Sequence, residues 1–329
     1  NVKMANIVQS KNIIINGDMT VNQRNTSVSG ITGNGYNTVD RMFLGCSSAG
    51  TWTQSKDTTV PTGQGFANSL KMDCTTADGS LSAADNCIIQ QRIEGQNLQY
   101  IKKGTSSAES LTVSFWVYAT KTGTNIVELY DNANTRQISK SYTISSSDTW
   151  EKKTLTFAGD TSGTLANDNS SAMTLLFWIA AGSNFTSGTL NTSWASATNA
   201  NRAVGQVNHA DSTSNNFYIT GIQMEAGDTA SEFEFLPYEV NLNRCYRYYF
   251  KTKSSQWLYA INSTNNNSRS EVVFKNTMRS TPTATVAFSA SGTGTGTQNA
   301  NINHVTVYVN GIGSGDTSLN TGATFDSEL

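Results

Sequence analysis

Two stretches of this chain alternate between residue types with a period of two. Over residues 111–118 (LTVSFWVY), Leu111, Val113, Phe115 and Val117 point one way and Thr112, Ser114, Trp116 and Tyr118 the other. Over residues 173–180 (MTLLFWIA), Met173, Leu175, Phe177 and Ile179 oppose Thr174, Leu176, Trp178 and Ala180. This period suits a strand, whose successive side chains face opposite sides, and does not suit a helix. Further strand-like runs occupy residues 13–15, 126–130, 152–157, 217–222, 257–261, 271–274, 283–288 and 305–309. Loops rich in Ser, Thr, Asn and Gly separate them. Many short strands with such turns predict an all-β chain, a jelly-roll β-sandwich. The absence of a fixed repeat argues against a β-helix or propeller.

One segment breaks the alternation. Within residues 239–250, Leu242, Cys245, Tyr246 and Tyr249 recur at i, i+3, i+4 and i+7, the spacing of one face of a short amphipathic helix. Pro237 stands just ahead of it, where a helix can start. The helix is expected to link a large β-domain to a smaller one. Residues 289–297, rich in Ser, Gly and Thr, read as a surface loop between two strands.

Composition sets the surface and excludes several classes. Of 329 residues, 44 are Thr, 39 Ser, 35 Asn and 26 Gly, whereas charged residues make up only 14%. A disordered chain would carry more charge and Pro and fewer aromatics; this one has 3 Pro but 6 Trp, 12 Tyr and 13 Phe. It therefore folds, and covers itself with small uncharged polar groups. The net charge is -2 and Lys and Arg never cluster beyond pairs, so no nucleic-acid partner is expected. The longest apolar run, residues 175–181, is far short of the roughly 20 residues that span a bilayer, so no membrane insertion is expected. No secretory signal opens the chain, and Met4 lies inside it rather than at its start, so a processed N-terminus is expected.

Cys46, Cys74, Cys87 and Cys245 lack metal-site spacing; they are buried free thiols, or Cys74 and Cys87 staple a hairpin. His209 and His304 are the sole histidines and belong to no catalytic motif, so no nucleophile triad is expected. Glu225, Asp228, Glu232 and Glu234 crowd together, either as a solvated turn or as a carboxylate pair of the kind glycoside cleavage needs. With no catalytic residue identified, the chain reads as a non-enzyme. The aromatics carry the stronger signal. Trp116, Tyr118 and Trp178 lie on the polar side of their strands, and Trp52, Trp150 and Trp194 stand beside polar turns. Such rings either pack between two sheets or stack on the apolar faces of sugars while Asn, Thr and Asp close around the hydroxyls. Trp52, Trp116, Tyr118, Trp178 and Trp194 are the candidate glycan-binding residues.

Several segments carry a family resemblance. Residues 12–24 read NIIINGDMTVNQR and residues 38–43 TVDRMF; LTVSFWVYATKTG (111–123), TWEKKTLTFAGDTSG (149–163) and LNTSW (190–194) follow. FYITGIQMEAGDTASEFE (217–234) and the helix NRCYRYYFK (243–251) form the most specific pair, and VFKNTMRSTP (273–282) and the terminal DSEL complete the match. Together these segments resemble the carbohydrate-binding-type jelly-roll domains of bacteriophage tail-fibre and related virion surface proteins. The likeness spans nearly the whole chain, with loops that vary freely.

The resemblance implies an N-terminal extension over residues 1–11, a carbohydrate-binding-like jelly roll over 12–238, a linking helix over 239–250 and a small C-terminal β-domain over 251–329. It implies a virion protein of a tailed phage that forms a homotrimer, contacts other virion proteins and binds host-surface glycans. It supplies no ligand residues. Asn16-Gly17-Asp18 resembles a segment near a structural Ca²⁺ in many carbohydrate-binding modules; Asp18, backbone carbonyls and Glu225 would be its oxygen ligands, and a tight turn is the simpler reading. No other cofactor is expected. The competing functions are a purely structural virion component (capsid decoration, collar or connector), a polysaccharide depolymerase, and a secreted bacterial carbohydrate-binding module.

Overall fold

The alternation at 111–118 becomes a strand, Leu111–Ala119, in which Val113, Phe115 and Val117 are fully buried and Trp116 and Tyr118 only half so. The computed structural model describes residues 11–252, 257–258, 267–289, 296–310 and 317–329. The chain divides into two units, Asn1–Leu236 and Pro237–Leu329.

The first unit carries β1 (Ser27–Ile31), β2 (Phe43–Ser47), β3 (Thr51–Asp57), β4 (Ser69–Thr76), β5 (Asn86–Glu94), β6 (Leu111–Ala119), β7 (Gly123–Asp131), β8 (Arg136–Ile144), β9 (Glu151–Phe157), β10 (Ser171–Ala181), β11 (Ala195–Ser196) and β12 (Asn216–Ala226), with a one-turn helix α1 (Ser183–Thr186). Sheet A runs β1-β3-β4-β12-β6-β9 and sheet B runs β11-β8-β7-β10-β5-β2. Every ladder between these strands is antiparallel. Two six-stranded sheets face one another as a jelly-roll sandwich, their inner faces joined in one core. At its centre the Phe115 ring of sheet A meets the Phe177 and Tyr142 rings of sheet B edge-on, at 5.0 and 5.1 Å.

Residues 13–15, expected as a strand, form none. Apart from one backbone bond, Ile13 N to Met224 O, side-chain amides hold their backbone instead. Asn12 Nδ2 donates to Ile222 O while its Oδ1 accepts from Ile14 N and Met224 N. Gln91 accepts from Ile15 N and donates back to Ile15 O. The segment thus bridges β12 of sheet A and β5 of sheet B, and a strand ladder to either sheet is replaced by amide contacts to both. Asn16-Gly17-Asp18 forms the tight turn: Asn16 takes φ 61° and its amide holds Val21 N, Val21 O and Asp40 O. A Cβ on Gly17 would stand 2.0 Å from the Ile222 carbonyl oxygen, so only glycine fits there.

The second unit opens with α2 (Tyr238–Tyr246), shorter than the helix expected over 239–250. The chain leaves the helix because residues 249–251 pair with 324–326, making β13 (Tyr249–Lys251). β14 (Trp257–Leu258), β15 (Asn267–Val273), β16 (Thr283–Ser289), β17 (Gly296–Ala300), β18 (His304–Asn310) and β19 (Thr317–Asp326) follow. β13, β14 and β16 pair with β19; β15 and β17 flank β18. Leu242 and Tyr246 of the helix pack with Phe250, Phe274, Met278 and Phe325 in this unit's own core. The N-terminal extension, the strand expected over 257–261 and the loop expected over 289–297 fall largely outside the described residues.

Candidate functional site

Antiparallel register sets side chains in rows across sheet A. On its outer face, Tyr218 of β12 stands opposite both Lys71 of β4 and Tyr118 of β6. In the next row Thr220 of β12 and Lys152 of β9 flank Trp116 of β6. Trp150, just ahead of β9, closes on the first row: the Tyr118, Trp150 and Tyr218 rings lie 5.0–6.3 Å apart. Lys71 Nζ sits 5.5 Å from the centre of the Tyr218 ring, within cation–π range. Tyr118 Oη donates to Asp148 Oδ1 at 3.0 Å, which fixes the outer end of its ring. Partial burial pushes the Tyr118 phenol up, and Asp148 adds to this, so it stays a neutral donor.

A bulge shapes the middle of this face. The pairing of β12 with β6 slips between Thr220 and Gln223, and Gly221 takes φ 62°. A Cβ there would stand 2.6 Å from the Phe66 ring and 3.2 Å from Trp116 Cδ1. The bare glycine lets both rings settle over the strand. Phe66 in turn meets Phe233 and Phe235 at 5.0 Å each, so aromatic surface extends from Trp116 to the exposed Phe235.

The remainder of the face is closed by the return segment after β12. Thr112 Oγ1 donates to Gly227 O, Thr156 Oγ1 to Asp228 O, and Gln223 Oε1 accepts from Glu234 N. This segment employs the acidic cluster. The Glu225 carboxylate accepts from Ser231 N, Ser231 Oγ and Gln223 Nε2. Glu234 Oε2 accepts from Asn12 N, Asp228 Oδ1 from Thr229 Oγ1, and Glu232 projects into solvent 3.9 Å from Lys152. These carboxylates tie a turn down, which is the work of a structural segment. Glu225 is thereby committed to the turn and Asp18 to Thr20 Oγ1. Among the described residues no three His, Cys, Asp or Glu side chains gather as a metal-ligand group.

The five candidate rings do not form one site. Trp116 and Tyr118 lie together on sheet A's outer face. Trp52 is fully buried between the sheets, its Nε1 donating to Ala49 O at 2.8 Å, so no sugar reaches its face. Trp178 does point away from the core, on the outer face of sheet B, but the segment 182–209 covers it. There Phe185 lies 5.2 Å from the ring, Arg202 5.3 Å above it, and Nε1 donates to the buried Glu128 at 3.0 Å. Burial pushes the Glu128 carboxyl up, and Arg202, donating from Nε at 2.8 Å, opposes that. Trp194 is half-buried against the core at the β11 edge and donates to Ala158 O. Beside it Lys103 shares its ammonium among Asp131 Oδ2, Asp160 Oδ2, Ser162 O and Gly163 O at 2.5–3.0 Å.

Tyr218, Lys71 and Phe66 belong to the aromatic face and escaped the sequence reading. Tyr218 alternates with the core residues Phe217 and Ile219, which is the signal that places it outward. Phe66 lies in a loop, where no periodicity marks it. His209 is a core residue: its Nε2 donates to Asn125 Oδ1 at 2.7 Å, and burial drives its pKa down to about 3.

The sequence matches no family model and no curated protein. Solved structures with some likeness include the enzymatically active domain of tailspike protein 4 from bacteriophage CBA120, at 11% identity and a TM-score of 0.33 over 66% of this chain. The match spans about a fifth (21%) of that tailspike chain. Others are a family 11 carbohydrate-binding module from Clostridium thermocellum in complex with a mixed-linked tetrasaccharide (12% identity, TM-score 0.32, 62% of this chain and 98% of that one). A third is the xylan-binding CBM22-1 domain of Paenibacillus barcinonensis Xyn10C (11% identity, TM-score 0.27, 62% and 95%). Likenesses this distant assign neither a family nor a ligand.

Proposed function

We propose that this chain is a glycan-recognition protein of a tailed-phage virion, of the tail-fibre or receptor-binding type, and that it binds host-surface saccharide without cleaving it. The observation that carries the reading is the half-exposed pair Trp116 and Tyr118 on sheet A's outer face, backed by Trp150 and Tyr218. Flat rings accept the C–H faces of a sugar. Thr154, Lys152, Lys71 and Asp148 around them offer donors and acceptors for its hydroxyls. The virion assignment rests on the sequence resemblance, as does homotrimer formation, which would strengthen weak individual contacts by multivalency.

Two measurements test the reading. A glycan array probed with the intact protein should show binding to envelope or capsule saccharides that remain full length afterwards. No binding to any saccharide or host cell removes the recognition role, and release of reducing ends makes the protein a depolymerase. Cryo-electron microscopy of the particle should find the chain at the distal end of a fibre. Copies on the capsid or at the neck would make it a purely structural component.

A further inference from the structure

We propose that Cys46 and Cys87 are a built-in cross-linking site, two thiols placed to close as a disulfide between β2 and β5 when the chain meets a small-molecule disulfide such as oxidised glutathione. All four cysteines are free thiols in the structure. The two sit directly opposite each other in the antiparallel β2–β5 ladder. Their pairing type can be read from the backbone. Leu44 exchanges both its hydrogen bonds with Gly35, on the side of β2 away from β5, and Cys46 N likewise turns away, to Asn34 Oδ1. Alternate residues of a strand send their N–H and C=O the same way, so Cys46 and Cys87 form a non-hydrogen-bonded pair. In such a pair the Cα atoms approach to roughly 4.5 Å, with side chains closer than elsewhere in the ladder. That separation lies within the roughly 4.4–6.8 Å range over which a disulfide joins two residues. Both thiols are on the core side and buried; contact with Cys87 lowers the pKa of the Cys46 thiol, while burial first and Cys46 second push the Cys87 thiol up.

Cys74, which sequence spacing offered as a staple partner for Cys87 as the alternative to free thiols, lies on the facing sheet. It is on β4 of sheet A, in register with Trp52, with its thiol turned to Thr76 O and Ala210 O. Cys245 belongs to the second unit.

Closure is two exchange steps. The Cys46 thiol, whose pKa the neighbouring Cys87 lowers, loses its proton first; its thiolate attacks one sulfur of the small disulfide and expels one small thiolate. The Cys87 thiolate then attacks the Cys46 sulfur, forms the Sγ–Sγ bond and expels the second. Two protein thiols lose two protons and two electrons, and the oxidant is reduced to two thiols. Because both sulfurs are buried, exchange proceeds while the chain folds or through local opening. The bridge would enclose β3 and β4, strands of sheet A, within a loop anchored on sheet B. It does not depend on whether sheet A's outer face binds a glycan.

The full chain, refolded in oxidised glutathione, should lose two of its four alkylatable thiols and yield a peptide pair bridged Cys46–Cys87 by tandem mass spectrometry. Its unfolding midpoint should rise, on the order of 10 °C, and fall back on reduction. Cys74→Ser should keep the bridge and Cys46→Ser should abolish it. Four alkylatable thiols after oxidation, a bridge to Cys74, or a mixed disulfide on Cys46 that never resolves would each overturn the proposal.

Discussion

Glu128 of β7 and Arg202 of the covering segment meet at 2.8 Å, and the Glu128 side chain is wholly enclosed. Its other oxygen takes the Trp178 indole N–H, so one buried carboxylate orders both a strand and the chain that crosses it. Removing the guanidinium leaves that charge buried without its ionic partner. Arg202→Ala is expected to lower unfolding free energy by about 3–5 kcal/mol, read by urea denaturation. Arg202→Lys, which keeps the charge but loses the planar contacts with Tyr130 and Trp178, should fall between.

The two outward tryptophans separate recognition from stability. Trp116→Ala and Tyr118→Ala should each weaken saccharide binding about tenfold, equivalent to ~1.4 kcal/mol, by isothermal titration. Both should leave the unfolding midpoint nearly unchanged. Trp178→Ala should do the reverse, lowering stability by about 3–5 kcal/mol. Equal effects on binding from all three would show that the face is misassigned.

His209 predicts the acid limb of the stability curve. Its folded pKa of about 3 lies below the ordinary 6.5, so above 6.5 both states hold a neutral ring and the contribution is fully present. As pH falls below that, the unfolded chain takes up a proton the folded one refuses. Stability should drop by ~1.4 kcal/mol per pH unit towards pH 3. Paired carboxylates such as Asp160 and Asp211, held below their usual range, add their own loss at lower pH. His209→Gln, which keeps a donor for Asn125, should flatten the slope between pH 6.5 and 4.5 in denaturation curves measured across that range.

Gly221→Ala tests how the aromatic face is seated. The new methyl would meet the Phe66 ring at 2.6 Å on a backbone at φ 62°. A loss of about 1–3 kcal/mol is expected, together with a changed Trp116 fluorescence spectrum. An unchanged spectrum and midpoint would mean that the bulge does not hold these rings.

Legibility in the sequence followed burial. β6 and β10 were plain because one face meets the core and the other differs in chemistry. β3 and β5 were hidden because polar residues occupy inward positions, Gln54 and Gln91, both fully or almost fully buried; β8 was hidden because its outward Gln137 and Ser139 are buried too, under residues 182–209. Gln91 satisfies its amide by clasping Ile15, Gln54 accepts from Thr38 Oγ1, and polarity then masks the period. For the candidate site, alternation placed Trp116 and Tyr118 correctly on an outward face. It could not tell that Trp178, equally outward, lies under residues 182–209, because a covering loop leaves no periodic trace. The same limit applied to the thiols: the reading of buried free thiols agrees with the structure, but the one pairing that spacing offered was Cys74 with Cys87, whereas strand register sets Cys46 opposite Cys87.

The amide clasp at Asn12 has a mechanical consequence. Asn12 is bonded to Ile222 and Met224 of the last strand of the first unit and, through its backbone N–H, to Glu234 just beyond it. Chain enters and leaves this sandwich side by side. A pull applied at residue 12 and at residue 236 is therefore borne first by that short clasp and by the return segment after β12, ahead of the strand ladders of either sheet. The two ends of this sandwich thus part before its sheets do, and its first mechanical failure is the release of a few amide hydrogen bonds.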